Sequence, residues 1–206
     1  MGFFRAHVLP QLLGFGERLS SMEQARARAV EYANGHVLEL GVGLGATLTL
    51  YHHEITSLTT IDPNPRSNAR LRRHLRHLPF PVDVREGRAE QLPLKDKTFD
   101  SVVTTFALCC VSDLERVAQE IHRVLKPGGR LFFAEPGPSR DPEIAKWQRR
   151  LAPLQRRVIE GSRADRPLDA ALLAAGFTLT RLDVNYLEGL PKSLGCLYEG
   201  MASTDA

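Results

Sequence analysis

Two carboxylates and a run of glycines are the residues whose types and spacing could hold a charged small molecule. The stretch His36–Thr47, HVLELGVGLGAT, places an acid, Glu39, inside an apolar run that meets glycines at 41, 43 and 45. An acid there is costly to bury unless it faces a positive or hydrogen-bond-donating group. Glycines at the end of a strand let the backbone turn tightly and approach a ligand with no Cβ in the way. GVGLGA satisfies the relaxed G-x-G-x-x-A pattern, and Asp62 lies about 20 residues further on, where an acid takes ribose hydroxyls. The pattern indicates an adenosine-bearing cofactor on an open parallel sheet and goes no further alone. Among other reactive types, His52 ends a predicted helix close to the glycines. There it could serve as a general base or cap the helix C-terminus. Cys109 and Cys110 are adjacent, and buried small side chains account for them better than nucleophiles do. No His, Cys or Asp cluster has metal-ligand spacing, and no Gly-x-Ser-x-Gly elbow occurs.

These residues must be positioned by alternating strands and helices. A helix is expected over 17–33, ending near Asn34-Gly35. Val37–Leu40 reads as a buried strand, too quickly ended by glycine to be a helix. A helix over 46–53 and strand 57–62 follow, then Pro63-Asn64-Pro65 and a helix over 66–78. Strands at 81–87 and 99–106, a helix at 113–125, the KPGG turn and strand 130–135 continue the alternation. Helices are expected at 142–159 and 167–175, then strands 177–184 and 196–202 with no helix between them. Such alternation predicts a Rossmann-like, doubly wound α/β sheet of about seven strands with helices on both faces. The sheet should be mostly parallel, with a C-terminal antiparallel hairpin at one edge. The organisation expected is a helical lid segment over 1–35, one domain over 36–206, and a helical lid insertion over 137–167.

Composition narrows the class. The chain has 206 residues, 43% of them hydrophobic and 25% charged, with a net charge of +3. That is an ordinary globular composition with too little positive charge to argue for nucleic acid. The run RLRRHLRH (70–77) places Leu71, Leu75 and Leu78 at helical spacing, so its basic residues read as a solvated face. Three cysteines, two of them adjacent, argue against a disulfide framework and for a reducing, cytoplasmic setting. No apolar run reaches the length of a membrane span. Residues 1–16 carry Phe3, Phe4, Leu12, Leu13 and Phe15; they read as a segment packed on the domain, with peripheral membrane contact the alternative.

Glu39 distinguishes between adenosine cofactors. The α-amino group of S-adenosylmethionine is a positive partner for a strand-end acid, whereas a pyrophosphate is not. VLELGVGLG, IDPNP, EGRAEQLPLKDKTFDSVV and VLKPGGRLFFAEP occur in order from 37 to 136. In these motifs the chain resembles the class I S-adenosylmethionine-dependent methyltransferases, of the ubiquinone/menaquinone-biosynthesis type. LCC (108–110), KWQRRLAPL (146–154), DRP (165–167) and YEG (198–200) carry a narrower likeness to small bacterial relatives of the methyltransferase-like thiol methyltransferases.

The resemblance implies roles. Gly41, Gly43 and Gly45 pass beneath the methionine part of the cofactor, with Glu39 on its amino group. Asp62 takes the ribose hydroxyls, Pro63 and Asn64 flank the adenine, and Ala89 and Glu90 border its ring. Thr105 and Phe106 follow the fourth strand, where the activated methyl faces its acceptor. His52, Cys109 and Tyr186 are the candidates for catalysis, and Phe106, Trp147 and Arg163 for the substrate side under the lid. Leu44 stands where many relatives have Thr, Arg88 where Asp is frequent, and Ser162-Arg163 where Cys-His or Cys-Asn is expected. The function implied is methyl transfer to a small-molecule acceptor, a thiol, quinol-like or lipidic compound. A phospholipid amine N-methyltransferase at a membrane surface is the alternative, and a nicotinamide-dependent oxidoreductase lies outside the class. No metal is implied, no nucleic acid is expected as a partner, and the oligomeric state stays open.

Overall fold

The computed structural model describes residues 20–52, 54–72, 75, 78–158 and 163–205. The chain opens with α1 (Ser20–Val30) and β1 (Gly35–Leu40), followed by β2 (Ile55–Asp62), α2 (Pro65–Leu71), β3 (Val82–Glu86) and β4 (Phe99–Thr105). Then come α3 (Leu114–Val124), β5 (Leu125–Pro136), α4 (Pro142–Val158), α5 (Leu168–Ala174), β6 (Thr178–Tyr186), α6 (Lys192–Gly195) and β7 (Cys196–Ser203). One seven-stranded sheet runs in the order β3-β2-β1-β4-β5-β7-β6. Strands β1 to β5 pair in parallel, and β7 is antiparallel to both neighbours, so the last strand inserts between β5 and β6.

Strand alternation sorts the core. Leu38, Leu40, Val102, Leu131 and Phe133 meet Leu114, Val117, Ile121, Leu168 and Leu172 of α3 and α5 in one buried cluster. Val37, Leu58, Val103 and Phe132 pack in another with Val30, Tyr51 and Leu71. The spacing of Leu114, Val117, Ala118, Ile121 and Val124, all buried, gives α3 its single apolar stripe. Asp113 caps it, accepting from the Arg116 amide at 2.9 Å. Helix α1 lays Ala25 and Ala29 against Ala134 and Leu197, a close approach that only small side chains permit.

Three expectations of local structure differ from what is found. Residues 43–50 form successive turns in place of a helix over 46–53. Their amides bond three residues back, from Gly45 to Val42, Leu48 to Gly45 and Leu50 to Thr47. The Thr47 and Tyr51 side chains are drawn to Glu39, which competes with helical continuation. Between β6 and β7 a single helical turn, α6, occurs where none was expected. Helix α2 spans Pro65–Leu71, so it ends short of the predicted 78.

Candidate active site

The parallel strands end together. Leu40 lies level with Ile61 and Thr104, and Thr105 with Ala134. At this edge Glu39 is 1% exposed and accepts hydrogen bonds from Thr47 Oγ1 at 2.5 Å and Tyr51 OH at 3.1 Å. Burial pushes its carboxyl up to about 7, against the pull of those two hydroxyls and the nearby Arg26 guanidinium. Burial and the Glu39 charge in turn hold the Tyr51 phenol well above its ordinary value. Arg26, itself buried, stands with its guanidinium 4.9 Å from the centroid of the Phe106 ring. A carboxylate, a guanidinium and an aromatic face therefore converge at the start of the glycine loop.

That loop follows at once. Gly41 has φ +70°, and a Cβ there would lie 2.4 Å from the Ala107 Cβ, so position 41 accepts only glycine without displacement. Gly43 has φ +55°, yet a Cβ there would have no neighbour nearer than the Gly41 carbonyl oxygen at 3.9 Å. The space above Gly43 is open, as a cradle for a ligand must be. Asp62, at the tip of β2, ties the loop to its neighbour: its Oδ2 accepts from the Gly43 amide at 3.0 Å and its Oδ1 from the Asn64 amide at 2.8 Å. Each carboxylate oxygen has a second lone pair, so two ribose hydroxyls can still be accepted. Asn64 caps α2 through the Arg66 amide at 3.0 Å, and Pro63 stands between the two acceptors.

Beyond β4 the chain makes a strained corner. Thr105 is buried, and Phe106 has φ +55°, a conformation that a bulky L-residue rarely adopts. Glu135, 1% exposed at the end of β5, over-determines this corner. Its two oxygens accept the amides of Ala107 and Leu108, each at 3.0 Å. Burial pushes Glu135 up to about 7 against those amides. The turn Leu108–Cys110 is gripped from the other side as well. Arg166 donates to the carbonyls of Leu108 and Val111 at 2.9 and 2.8 Å, and the Arg163 amide donates to the Cys109 carbonyl at 2.7 Å. Burial lowers Arg166, and the charge of Arg163 adds to that.

The remaining predicted residues fall in two groups. Tyr186 reaches the rim, its hydroxyl 2.7 Å from Ser139 Oγ, while Cys109 lies buried in the turn below Phe106. Ala89 and Glu90 sit in the loop after β3. The Glu90 carboxylate accepts from the Ser112 amide and hydroxyl at 2.8 and 2.6 Å. Although partial burial works against it, these Ser112 bonds hold Glu90 down to about 2. Its side chain thereby staples the two loops that would border an adenine. His52 bonds to the Glu31 carbonyl at 2.5 Å, which anchors it to the end of α1. Trp147 is 53% exposed on α4, with the Arg150 guanidinium 5.3 Å from its ring centroid. Sequence reading missed Arg26, Thr47, Tyr51 and Glu135. For Arg26 a signal existed: Glu39 demanded a positive partner, and α1 offers an arginine flanked by alanines.

An open cradle over Gly43, a buried carboxylate suited to an ammonium group, and a second acid at the neighbouring strand tip define a class: a Rossmann-like protein whose site fits an adenosine compound bearing an α-amino acid. Residues 38–133 match the family model described as a methyltransferase domain. The chain is similar to a thiol S-methyltransferase of Rattus norvegicus, 35% identical over 71% of this chain and 62% of that one. It is also similar to a phosphatidylethanolamine N-methyltransferase of Cereibacter sphaeroides, 36% identical over 58% of this chain and 59% of that one. The chain thus spans about three fifths of the length of these curated relatives. A Haloferax volcanii methyltransferase solved with the Trm112 methyltransferase activator superposes with a TM-score of 0.73. The two share 18% identity over 98% of this chain and 96% of that one, a likeness of fold alone.

Proposed function

We propose that this protein is an S-adenosylmethionine-dependent methyltransferase acting on a small acceptor, with a thiol as the first candidate. The observation that carries the reading is the buried Glu39 carboxylate beside the open cradle of Gly43. In this reading Glu39 holds the cofactor ammonium group, Arg26 faces its carboxylate, and Asp62 takes the ribose hydroxyls. The bound cofactor supplies an already activated sulfonium methyl. The chain's task is then to align a nucleophile and exclude water, effects that lower a barrier by roughly 7–11 kcal/mol.

The acceptor side supports a thiol. Phe106, Ala107, Leu108 and Cys109 make the β4 mouth largely apolar, and Arg163 and Arg166 add positive field that favours an anionic nucleophile. A thiol, with a pKa of about 8.5, needs the least help to ionise. The thiol S-methyltransferase relative agrees with this. Methyl transfer from labelled S-adenosylmethionine to a panel of thiols, quinols and phosphatidylethanolamine tests the acceptor. Turnover of thiols is the expected result, and turnover confined to the lipid would replace the thiol reading.

The lipid reading has one observation of its own. Helix α4 exposes Lys146, Trp147, Arg149 and Arg150 together, an interfacial aromatic among cations. Residues 1–16, the other candidate membrane segment, lie outside the described residues. Trp147 is the only tryptophan of the chain, so its fluorescence reports directly. If α4 meets a bilayer, emission shifts to the blue on adding anionic vesicles and stays unchanged with neutral ones. An unchanged spectrum with both removes α4 from a lipid role.

The Glu39 geometry also fixes a pH dependence. Its carboxyl sits up at about 7 in the free protein, so below pH 7 it carries a proton that must leave when an ammonium group binds. Cofactor affinity should therefore rise with pH, by up to about tenfold per unit, and level off above 7. Glu39→Gln should bind weakly with a flat profile across pH 5.5–8. A wild-type profile that is itself flat removes the ammonium contact.

A further inference from the structure

We propose that Cys109 and Cys110 form a chelating dithiol for a trivalent arsenical at the mouth of the acceptor site. The two Sγ atoms lie 3.7 Å apart, and neither cysteine is in a disulfide. Two thiolates bound to one soft atom at roughly 2.3 Å each, as in zinc thiolates, stand about 3.5 Å apart. The observed spacing therefore suits a bridging atom with little movement. A direct bond between neighbouring cysteines must instead close a small ring around a planar peptide, which the rigid backbone resists.

The surroundings favour this chemistry. Cys110 is exposed, and Cys109 lies immediately beneath it with its Sγ 3.7 Å from the Phe106 carbonyl oxygen. The contact with the Cys109 thiol lowers the Cys110 thiol below its ordinary range, and the Arg166 charge adds to that. The turn itself is pinned on both sides, by Glu135 on its amides and by Arg166 and the Arg163 amide on its carbonyls. The sulfurs are thus presented on a fixed scaffold, and little entropy is lost on chelation. A metal ion seeking four ligands is less well served: among the described residues no group of three or more His, Cys, Asp or Glu could hold one. Trivalent arsenic carrying one organic substituent needs only two sulfurs.

The reaction balances without oxidant or reductant. With phenylarsonous acid, the hydrated form of phenylarsine oxide, two As–O bonds break and two As–S bonds form. Each hydroxyl leaves as water with one thiol proton, and arsenic stays trivalent. The inference needs only the geometry of the turn and does not depend on which molecule accepts the methyl group.

The test uses the intact protein with phenylarsine oxide, followed by washing in excess glutathione and intact-mass measurement. Wild type should retain one arsenic per chain through the glutathione wash and release it to 2,3-dimercaptopropanol. Cys110→Ala, at an exposed position, should lose its arsenic in glutathione, with affinity at least tenfold lower. Peptide mapping after iodoacetamide should find Cys109 and Cys110 protected together in the loaded wild type, with Cys196 unaffected by loading. Loss of arsenic from wild type in glutathione would overturn the proposal, as would equal retention by Cys110→Ala.

Discussion

Asp62→Ala is expected to weaken S-adenosylmethionine binding by at least tenfold and to loosen the glycine loop even without ligand. Asp62 is 7% exposed and joins the tip of β2 to the loop after β1 through the Gly43 amide, while its other oxygen accepts the Asn64 amide. Hydrogen bonds to a charged acceptor contribute roughly 1.5–3 kcal/mol each, and 1.4 kcal/mol is a tenfold change in affinity. Loss of the ribose contacts alone therefore accounts for the tenfold figure, and release of Gly43 adds to it. Asp62→Asn separates the two contributions. It keeps the shape, but its amide group must turn a donor toward either Gly43 or Asn64. Calorimetric affinities should fall in the order wild type, Asn, Ala. An alanine variant within twofold of wild type would remove Asp62 from the cofactor site.

The second large effect belongs to a residue that touches no ligand. Glu135→Ala should lower the melting temperature by several degrees and reduce turnover far more than cofactor affinity. The carboxylate is almost completely buried and accepts two amides of the corner that carries Phe106. Removing it strands the buried Leu108 N–H and the partly buried Ala107 N–H, at up to roughly 1–3 kcal/mol each. For a chain of this size each kcal/mol lowers Tm by about 2–4 °C. The corner also holds Phe106 at φ +55°, a geometry that persists only while its surroundings enforce it. Once released, Phe106 and the turn at 108–110 relax away from the acceptor, while Glu39 and Asp62 stay in place. Glu135→Gln should lie between the two, since its carbonyl can accept one amide while its NH2 opposes the other. A variant that melts as wild type does and turns over at the wild-type rate would show that the corner holds without this carboxylate.

Much of this was legible in the sequence, for a physical reason. Leu38, Leu40, Val102 and Leu131 form apolar strand runs ended by glycine or polar turns, and the apolar stripe of α3 has clean helical spacing, so local pattern and global fold agree. Gly41 and Gly43 were readable because their left-handed backbone favours glycine, and at Gly41 close approach to Ala107 does as well. The contacts that arise only on folding were not readable. The 46–53 stretch has helical composition, but its Thr47 and Tyr51 hydroxyls satisfy Glu39 instead. Glu135 carried no signal in the sequence, because its partners Ala107 and Leu108 lie on another strand's loop nearly 30 residues away. His52 and Trp147 have reactive or lid-like side chains, yet the fold turns one to the end of α1 and the other to the surface. Side-chain type marked them; only position could assign them.

In the proposed function the cradle formed by Glu39, Gly43 and Asp62 takes an adenosine cofactor bearing an α-amino acid. Calorimetric titration of the protein with S-adenosylmethionine, S-adenosylhomocysteine and NADH tests it most directly. Saturable one-to-one binding of both S-adenosyl compounds, with no heat from NADH, is the predicted result. Binding of NADH without either S-adenosyl compound would contradict it.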